Sequence, residues 1–253
     1  MLLEHLGWRG CYFVFAALNL VVCAPLHLWL ARRAPVAVGE AAGTSPHAVV
    51  EVGVLPAGRR NLAPGLMMAG FAIEGLVLSG VLLQIMPIIQ GLSLGAGALV
   101  ITTLFGPAQV LSRLVNMLVG RDLRATWLAV IAAALLPAGL AVLLATAPSL
   151  PGAVVFAVLF GLGSGLTSIV SGALPLYLLG RDRYGARLGW LSSARQVASA
   201  IAPFLLAVAM GALGVGGALW VFVALGLVAV SVFVAVEALV PRRAVIVSQG
   251  QGG

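Results

Sequence analysis

Three ionisable side chains lie inside long apolar stretches of this sequence: Glu74, Arg113 and Arg195. At membrane depth a charge is costly, and it is kept mostly where it binds a solute, carries a proton or pairs with another charge. Glu74 and Arg195 lie about 12–15 Å from the same side of their stretches, counted at ~1.5 Å per helical residue. Glu74 can therefore be a coupling or gating carboxylate with Arg195, a static ion pair with Arg195, or a side chain at the lipid interface.

A run of polar residues has the spacing of one helix face. Thr102, Gly106, Gln109, Arg113 and Asn116 follow one another at intervals of 4, 3, 4 and 3 residues, which places them on the same side of a helix. Inside a membrane such a face must contact protein or water. It indicates the lining of a cavity, or else hydrogen bonds between helices with Arg113 reaching toward the cytoplasmic surface.

Short hydroxyl and amide side chains form further polar faces in later apolar stretches. One of them adjoins Gly161 and Gly165, whose spacing also suits close helix packing through small residues. The candidates for lining a cavity are Gln84, Thr102, Gln109, Arg113, Asn116, Ser164, Thr167, Ser168, Ser171, Ser192, Gln196 and Ser199.

The residues that usually hold metals are too scattered to form a site. Cys11 and Cys23 lie in one apolar stretch, and His5, His27 and His47 show no ligand spacing. We therefore expect no metal, no cofactor and no enzymatic activity. A membrane-embedded enzyme, the less favoured alternative, would need a convergent cluster such as two histidines with a carboxylate.

The composition is that of an integral membrane protein. Hydrophobic residues make up 62% of the 253 residues and charged residues 8%, against about 45–50% and 25% in soluble domains. The net charge is +7, but the arginines form short clusters rather than a basic patch with aromatics. This pattern argues against nucleic acid and favours contact with an anionic lipid surface.

Seven apolar runs are long enough to cross a bilayer, which needs ~20 residues. They are uninterrupted rather than alternating, so they predict helices and not barrel strands, in an all-α membrane fold. The runs are 10–31, 64–90, 95–119, 125–147, 151–179, 188–213 and 215–239.

One long connection divides the chain. We expect a single transmembrane span at 1–31, a linker at 32–63 that is rich in Pro, Gly and Ala, a six-helix transmembrane half at 64–240 and a tail at 241–253. The connections beyond the linker alternate between arginine-containing and uncharged. By the positive-inside rule the linker and the C-terminus are cytoplasmic and the N-terminus is outside, in a multi-pass cell (inner) membrane protein.

Three short motifs resemble the Major Facilitator Superfamily. Gly7-Trp8-Arg9 is similar to the opening of its sixth span, FGPAQVLSRLVNMLVGRDLR at 105–124 to the motif joining its eighth and ninth spans, and GRDRYGARLG at 180–189 to the loop before its eleventh. Ser112 and Asn116 stand where the second motif usually has Gly and Asp. The resemblance covers the sixth span, the central loop and the last six spans.

The resemblance implies a secondary transporter that moves a small solute by alternating access between two halves. The partners expected from it are the solute, the lipid bilayer and an N-terminal half that this chain lacks. We accordingly expect the chain alone to insert into a membrane without transporting, unless a second copy supplies facing helices. The alternative is a non-transporting fragment or scaffold.

Overall fold

A computed structural model describes residues 2–33, 54–55, 62–95, 97–118, 123–181 and 183–241. The regular secondary structure among these residues is entirely helical, and no strand occurs among them. The chain divides into two compact units, 1–49 and 50–253, which are described separately. The expected linker at 32–63 and tail at 241–253 lie almost wholly outside the described residues.

The first unit is one apolar helical segment with two irregularities. It consists of α1 (Leu2–Leu18), a π-helical turn (Asn19–Cys23) and α2 (Ala24–Arg33), and Gly7 interrupts α1 with φ 62° and ψ 175°. Pro25 has no N–H and its ring crowds the carbonyl four residues before it, so the preceding turn widens. The N–H of Ala24 accordingly donates to the carbonyl of Asn19, five residues back.

The second unit holds the remaining helices. They are α3 (Leu62–Leu83), α4 (Ile85–Gly91), α5 (Gly97–Leu118), α6 (Ala125–Thr146), α7 (Leu150–Leu179) and α8 (Tyr184–Ala238). The run predicted as one span at 64–90 is not continuous, because Gln84 leaves the helical conformation with φ −105° and ψ 18°. Pro87 explains the break, since it lacks the N–H that would bond the carbonyl of Leu83.

Four of the described helices are long and apolar enough to cross a membrane: α3, α6, α7 and α8. α8 has 55 residues and would extend about 80 Å if straight, far beyond the ~30 Å of a hydrocarbon core. Gly214, with φ 72° and ψ 170°, divides it into two arms, 184–213 and 215–238. The predicted all-α membrane fold is confirmed, and this break falls between the sixth and seventh apolar runs.

The core of the second unit consists of two apolar clusters. The Phe233 cluster contains Phe71 and Leu174, whereas the Phe160 cluster contains Val81 and Phe222. α3 contributes residues to both clusters. Glu74 lies between the part of α3 in the Phe233 cluster and the part in the Phe160 cluster, and it is the one buried acidic residue among the described residues. The polar centre of the unit therefore lies between two apolar layers.

Glycines let the helices approach closely around α7. A methyl group at Gly161 would meet Ala108 Cβ of α5 at 2.6 Å, and one at Gly163 would meet Leu136 of α6 at 2.9 Å. Gly165 faces Ser112 and the backbone of Gln109 even more closely. The small-residue packing that the sequence indicated for α7 is thus present, with α5 and α6 on different sides.

The turn at Gly214 gives a direct test of the fold. Its backbone conformation is nearly restricted to glycine, so Gly214→Ala should lower the free energy of unfolding by about 1–3 kcal/mol. Gly216→Ala is the matched control, because it lies in regular helix with no atom near the added methyl. It should be neutral or stabilise by up to ~1 kcal/mol. Thermal unfolding in detergent measures both, and equal stability of the two variants would contradict the turn.

Candidate functional site

Glu74 is enclosed at the middle of α3. Only 2% of its surface is exposed, which rules out a position at the lipid interface. The hydroxyl of Thr167 on α7 lies 3.1 Å from Glu74 Oε1. A buried carboxyl group needs such a partner, because an unsatisfied polar group away from water is destabilising.

The Thr167 hydroxyl has one hydrogen and two acceptors within reach. Besides Glu74 it lies 2.9 Å from the carbonyl oxygen of Gly163, one turn earlier in α7. When Glu74 is ionised, the hydroxyl can donate to the carboxylate. When Glu74 is protonated, the carboxyl can donate to the hydroxyl, whose own hydrogen then turns to Gly163. The contact can thus satisfy either protonation state without moving the backbone.

Arg195 lies next to Glu74 on the first arm of α8. Gly75 makes room for it, since a methyl group there would meet Arg195 Cγ at 2.7 Å and Ser199 Oγ at 2.8 Å. The Arg195 side chain therefore packs against α3 at the residue next to Glu74. The carboxyl group therefore has a hydroxyl as its contact partner and a cation at longer range.

α5 and α7 are joined by polar contacts between their side chains. Gln109 Nε2 donates to Ser164 Oγ at 2.8 Å, and Arg113 Nη2 donates to Ser168 Oγ at 3.3 Å. The Ser168 hydroxyl gives its own hydrogen to the carbonyl of Gly165 at 2.7 Å, which leaves its lone pairs for Arg113. The predicted polar face of α5 is therefore a joint surface with the serines of α7.

Thr167 differs from the serines with which its spacing grouped it. It is completely buried and turned toward α3, whereas Ser168 is exposed and Ser164 and Ser171 are partly exposed. At ~100° per residue Thr167 lies on the flank of the stripe formed by the three serines. The environment of Thr167 is set by the packing of α3 against it, which the spacing of residues within one helix does not reveal.

The first arm of α8 adds a third side to this surface. Ser192 and Gln196 are exposed on it, and Ser199 is half-buried. A recess of about 40 Å³ is bounded by Arg195, Ser192 and Ser171, with Phe71 among its apolar lining. Arg113 thus contacts Ser168 of the serine stripe on α7, and Arg195 lines a common recess with Ser171, the next serine of that stripe.

Gln84 has a structural partner away from the serine stripe. Its Nε2 donates to the carbonyl oxygen of Pro203 at 3.0 Å. The neighbouring Ser79 hydroxyl donates at 2.7 Å to the carbonyl of Ser199, which lacks its usual helical donor because Pro203 has no N–H. Sequence analysis missed Ser79, although a proline four residues after Ser199 signals a carbonyl in need of a donor.

The first and last residues of the predicted polar face of α5, Thr102 and Asn116, do not contact the serines of α7. Thr102 lines a separate, mostly apolar cavity of about 130 Å³ with Phe105 and Phe160. Asn116 Oδ1 is buried without a hydrogen-bond partner among the described residues. Gln109 and Arg113 are consequently the members of this face that the structure brings to the α7 serines.

The comparison with known families agrees with this architecture. A family model described as Major Facilitator Superfamily matches residues 1–203. The chain belongs to the Major Facilitator Superfamily. No curated protein and no solved structure gives a significant match. Members of the superfamily are multi-pass membrane transporters, and the resemblance seen in the short motifs of this chain is confirmed.

The charges of this superfamily member are unevenly placed around the polar surface. Arg113 is exposed and Arg195 half-buried on it, whereas Glu74 is enclosed behind it. Within the described residues no group of three or more His, Cys, Asp or Glu side chains could hold a metal ion. The polar groups on this surface are hydroxyls, amides and guanidinium cations.

The contact between Thr167 and Glu74 can be measured with a double-mutant cycle. Thr167→Val leaves a buried carboxyl group without its hydroxyl partner, so it should destabilise the protein more than it does in a Glu74→Leu background. The coupling should be about 0.6–1.7 kcal/mol, the range for hydrogen bonds between membrane helices. Unfolding in detergent gives the four stabilities.

Thr126 supplies the control for that cycle. It is as buried as Thr167, but its hydroxyl has no hydrogen-bond partner among the described residues. Thr126→Val should therefore be neutral or slightly stabilising. Additive effects of Thr167→Val and Glu74→Leu would show that the two side chains do not interact.

Proposed function

We propose that this chain forms one half of a secondary transporter that moves a small solute by alternating access and catalyses no covalent reaction. The observation that carries the proposal is the polar surface shared by α5, α7 and the first arm of α8. Its hydroxyl, amide and guanidinium groups lie at membrane depth, where such groups persist next to a solute pathway. The surface is the wall of a cavity near the midplane.

A second set of helices faces this wall. In transporters of this kind two helical halves rock about a central site, and the described second unit supplies one of them. We assign the facing half to further helices of the same transporter or to a second copy of the chain. Glu74, behind the wall, is the coupling or gating group because its contact with Thr167 can accommodate both protonation states.

The arrangement of charge favours an anionic solute. Arg113 contacts Ser168 of the serine stripe and Arg195 lines a recess with Ser171, while the carboxyl of Glu74 is enclosed and bonded to Thr167. An anion would gain charge-assisted hydrogen bonds from the guanidinium groups and neutral ones from the hydroxyls. A cation would meet two like charges in a poorly hydrated site.

Orientation across the cell membrane is part of the proposal. In a chain with Cys11 and Cys23 replaced by Ser, single cysteines at Ser93 and Pro148 should react with an impermeant maleimide from outside. Cysteines at Leu123 and Arg183 should react only from the cytoplasmic side, since arginine-rich connections face inward. Labelling of positions 93 and 123 from the same side would contradict the proposed orientation of α5.

Uptake by cells tests the transport function. A strain without the gene should lose uptake of one labelled small anion, and plasmid-borne wild-type protein should restore it. Arg113→Gln or Arg195→Gln should raise KM about tenfold or more, the effect of losing one charge-assisted contact. Arg183→Gln, an exposed arginine in the turn before α8, is the control and should restore full uptake.

Two results would contradict the function or the choice of solute. If loss of the gene changed the uptake of none of a broad panel of labelled solutes, a scaffold function would replace transport. If the solute whose uptake was restored were neutral or cationic, and both arginine variants transported it normally, the transport function would be supported and the preference for anions would be contradicted.

A further inference from the structure

The aromatic cavity lies where α5 and α7 meet the end of α3 and the start of α4. It encloses about 130 Å³, its lining is mostly apolar, and the rings of Phe105, Phe156 and Phe160 line it. The centroid of the Phe160 ring lies 6.2 Å from that of Phe105 and 5.2 Å from that of Phe156. An apolar cavity of ~150 Å³ with a similar lining stays dry and binds benzene. The aromatic cavity therefore suits a ring or a short alkyl chain better than water.

The mouth of the aromatic cavity lies on the polar side of α5. Thr102, which lines the cavity, is exposed, whereas Ile101 and Phe160 in the same lining are buried. Thr102, Gln109 and Arg113 follow one another at intervals of 7 and 4 residues, so they share one face of the helix. The cavity therefore opens on the same side of α5 as the groups that meet the serine stripe.

α5 and α7 meet at three successive levels, each 4 residues beyond the last on both helices. The pairs are, in order, Phe105 with Phe160, Gln109 with Ser164, and Arg113 with Ser168. Successive levels are about 6 Å apart along the helices, so the guanidinium level lies about 12 Å from the aromatic level. A solute lying along the two helices can thus have one end among the rings and the other at the guanidinium group.

We propose that the aromatic cavity binds the apolar end of the transported solute, which is therefore an amphipathic organic anion. This inference rests on the proposed function and names its substrate class. The anionic group lies at Arg113, where charge-assisted hydrogen bonds hold it. The alkyl or aryl end lies among the phenylalanine rings, where each buried CH₂ tightens binding about fourfold. A small hydrophilic anion reaches Arg113 but leaves the cavity unfilled, so it binds more weakly.

Two neighbouring threonines of α5 give a matched pair of variants. Thr102 and Thr103 are both exposed, but Thr102 lines the aromatic cavity and Thr103 does not. Thr102→Phe would place a ring in the mouth of the cavity, and Thr103→Phe adds the same ring outside it. Both substitutions have the same effect on helix propensity, and neither removes a buried side chain from the core.

Photolabelling of the full chain, purified in detergent, tests the site. The probe is octanesulfonate with a diazirine at the end of its chain, because a sulfonate stays ionised. Peptide mass spectrometry should find saturable labelling within 101–105 or 156–160 in wild type and Thr103→Phe. Thr102→Phe and Arg113→Gln should each be labelled about tenfold less. Unlabelled octanesulfonate should compete at least about tenfold better than ethanesulfonate.

Two labelling results would overturn the site. The first is labelling that does not saturate or that is equal in wild type and Thr102→Phe. The second is equal saturable labelling by a diazirine alkane without the sulfonate, which would identify a site for a hydrocarbon chain of the bilayer.

Uptake by cells separates this inference from the proposed function. If uptake of an anion depends on the gene while the expected labelling is absent, transport is supported and the aromatic site is contradicted. If the labelling is as expected while no uptake depends on the gene, the binding site for an amphipathic anion is supported and the transport function is contradicted. All the residues that line the cavity belong to the second unit, so the labelling does not require the facing half.

Discussion

The arrangement of the second unit depends on one buried carboxyl group between two apolar clusters. A charge taken out of water costs several kcal/mol per ion unless partners replace its hydration, and Glu74 is 2% exposed. Its environment supplies those partners from two directions. Thr167 approaches from α7, and the missing side chain at Gly75 lets Arg195 approach from α8. The packing of α3 against α7 and α8 therefore brings Glu74 the partners that replace its lost hydration.

The same rule governs the backbone, because lipid offers no hydrogen bonds to a broken helix. Pro203 deprives the Ser199 carbonyl of its donor, and Ser79 on α3 provides a replacement. Gln84, where α3 itself leaves the helical conformation, uses its side chain to bond the carbonyl of Pro203. Both irregularities thus become cross-links between α3 and α8.

Sequence reasoning succeeded for features that depend on the local sequence. It failed where the environment of a residue depends on a helix packed against it. Apolar length and the arginine pattern predicted the helices, and the gap between two runs coincides with the turn at Gly214. The break at Gln84 was missed because the run around it stays apolar. Thr167 was grouped with the serines by spacing alone, and only the position of α3 separates it from them. The pairing of α5 with α7 was likewise invisible to periodicity within one helix.

α7 contacts both the proposed cavity wall and the buried carboxyl group behind it. Its Ser168 meets Arg113 at the cavity wall, and the adjacent Thr167 meets Glu74 behind it. A solute anion at the wall would compete for the guanidinium groups, and Arg195 would then offset less of the negative charge of Glu74. Binding of the anion would thereby favour proton uptake by Glu74, and by linkage protonation would favour the anion by the same factor. Because the Thr167 hydroxyl can turn to Gly163 when the carboxyl is protonated, this coupling needs no unpaired buried group in either state.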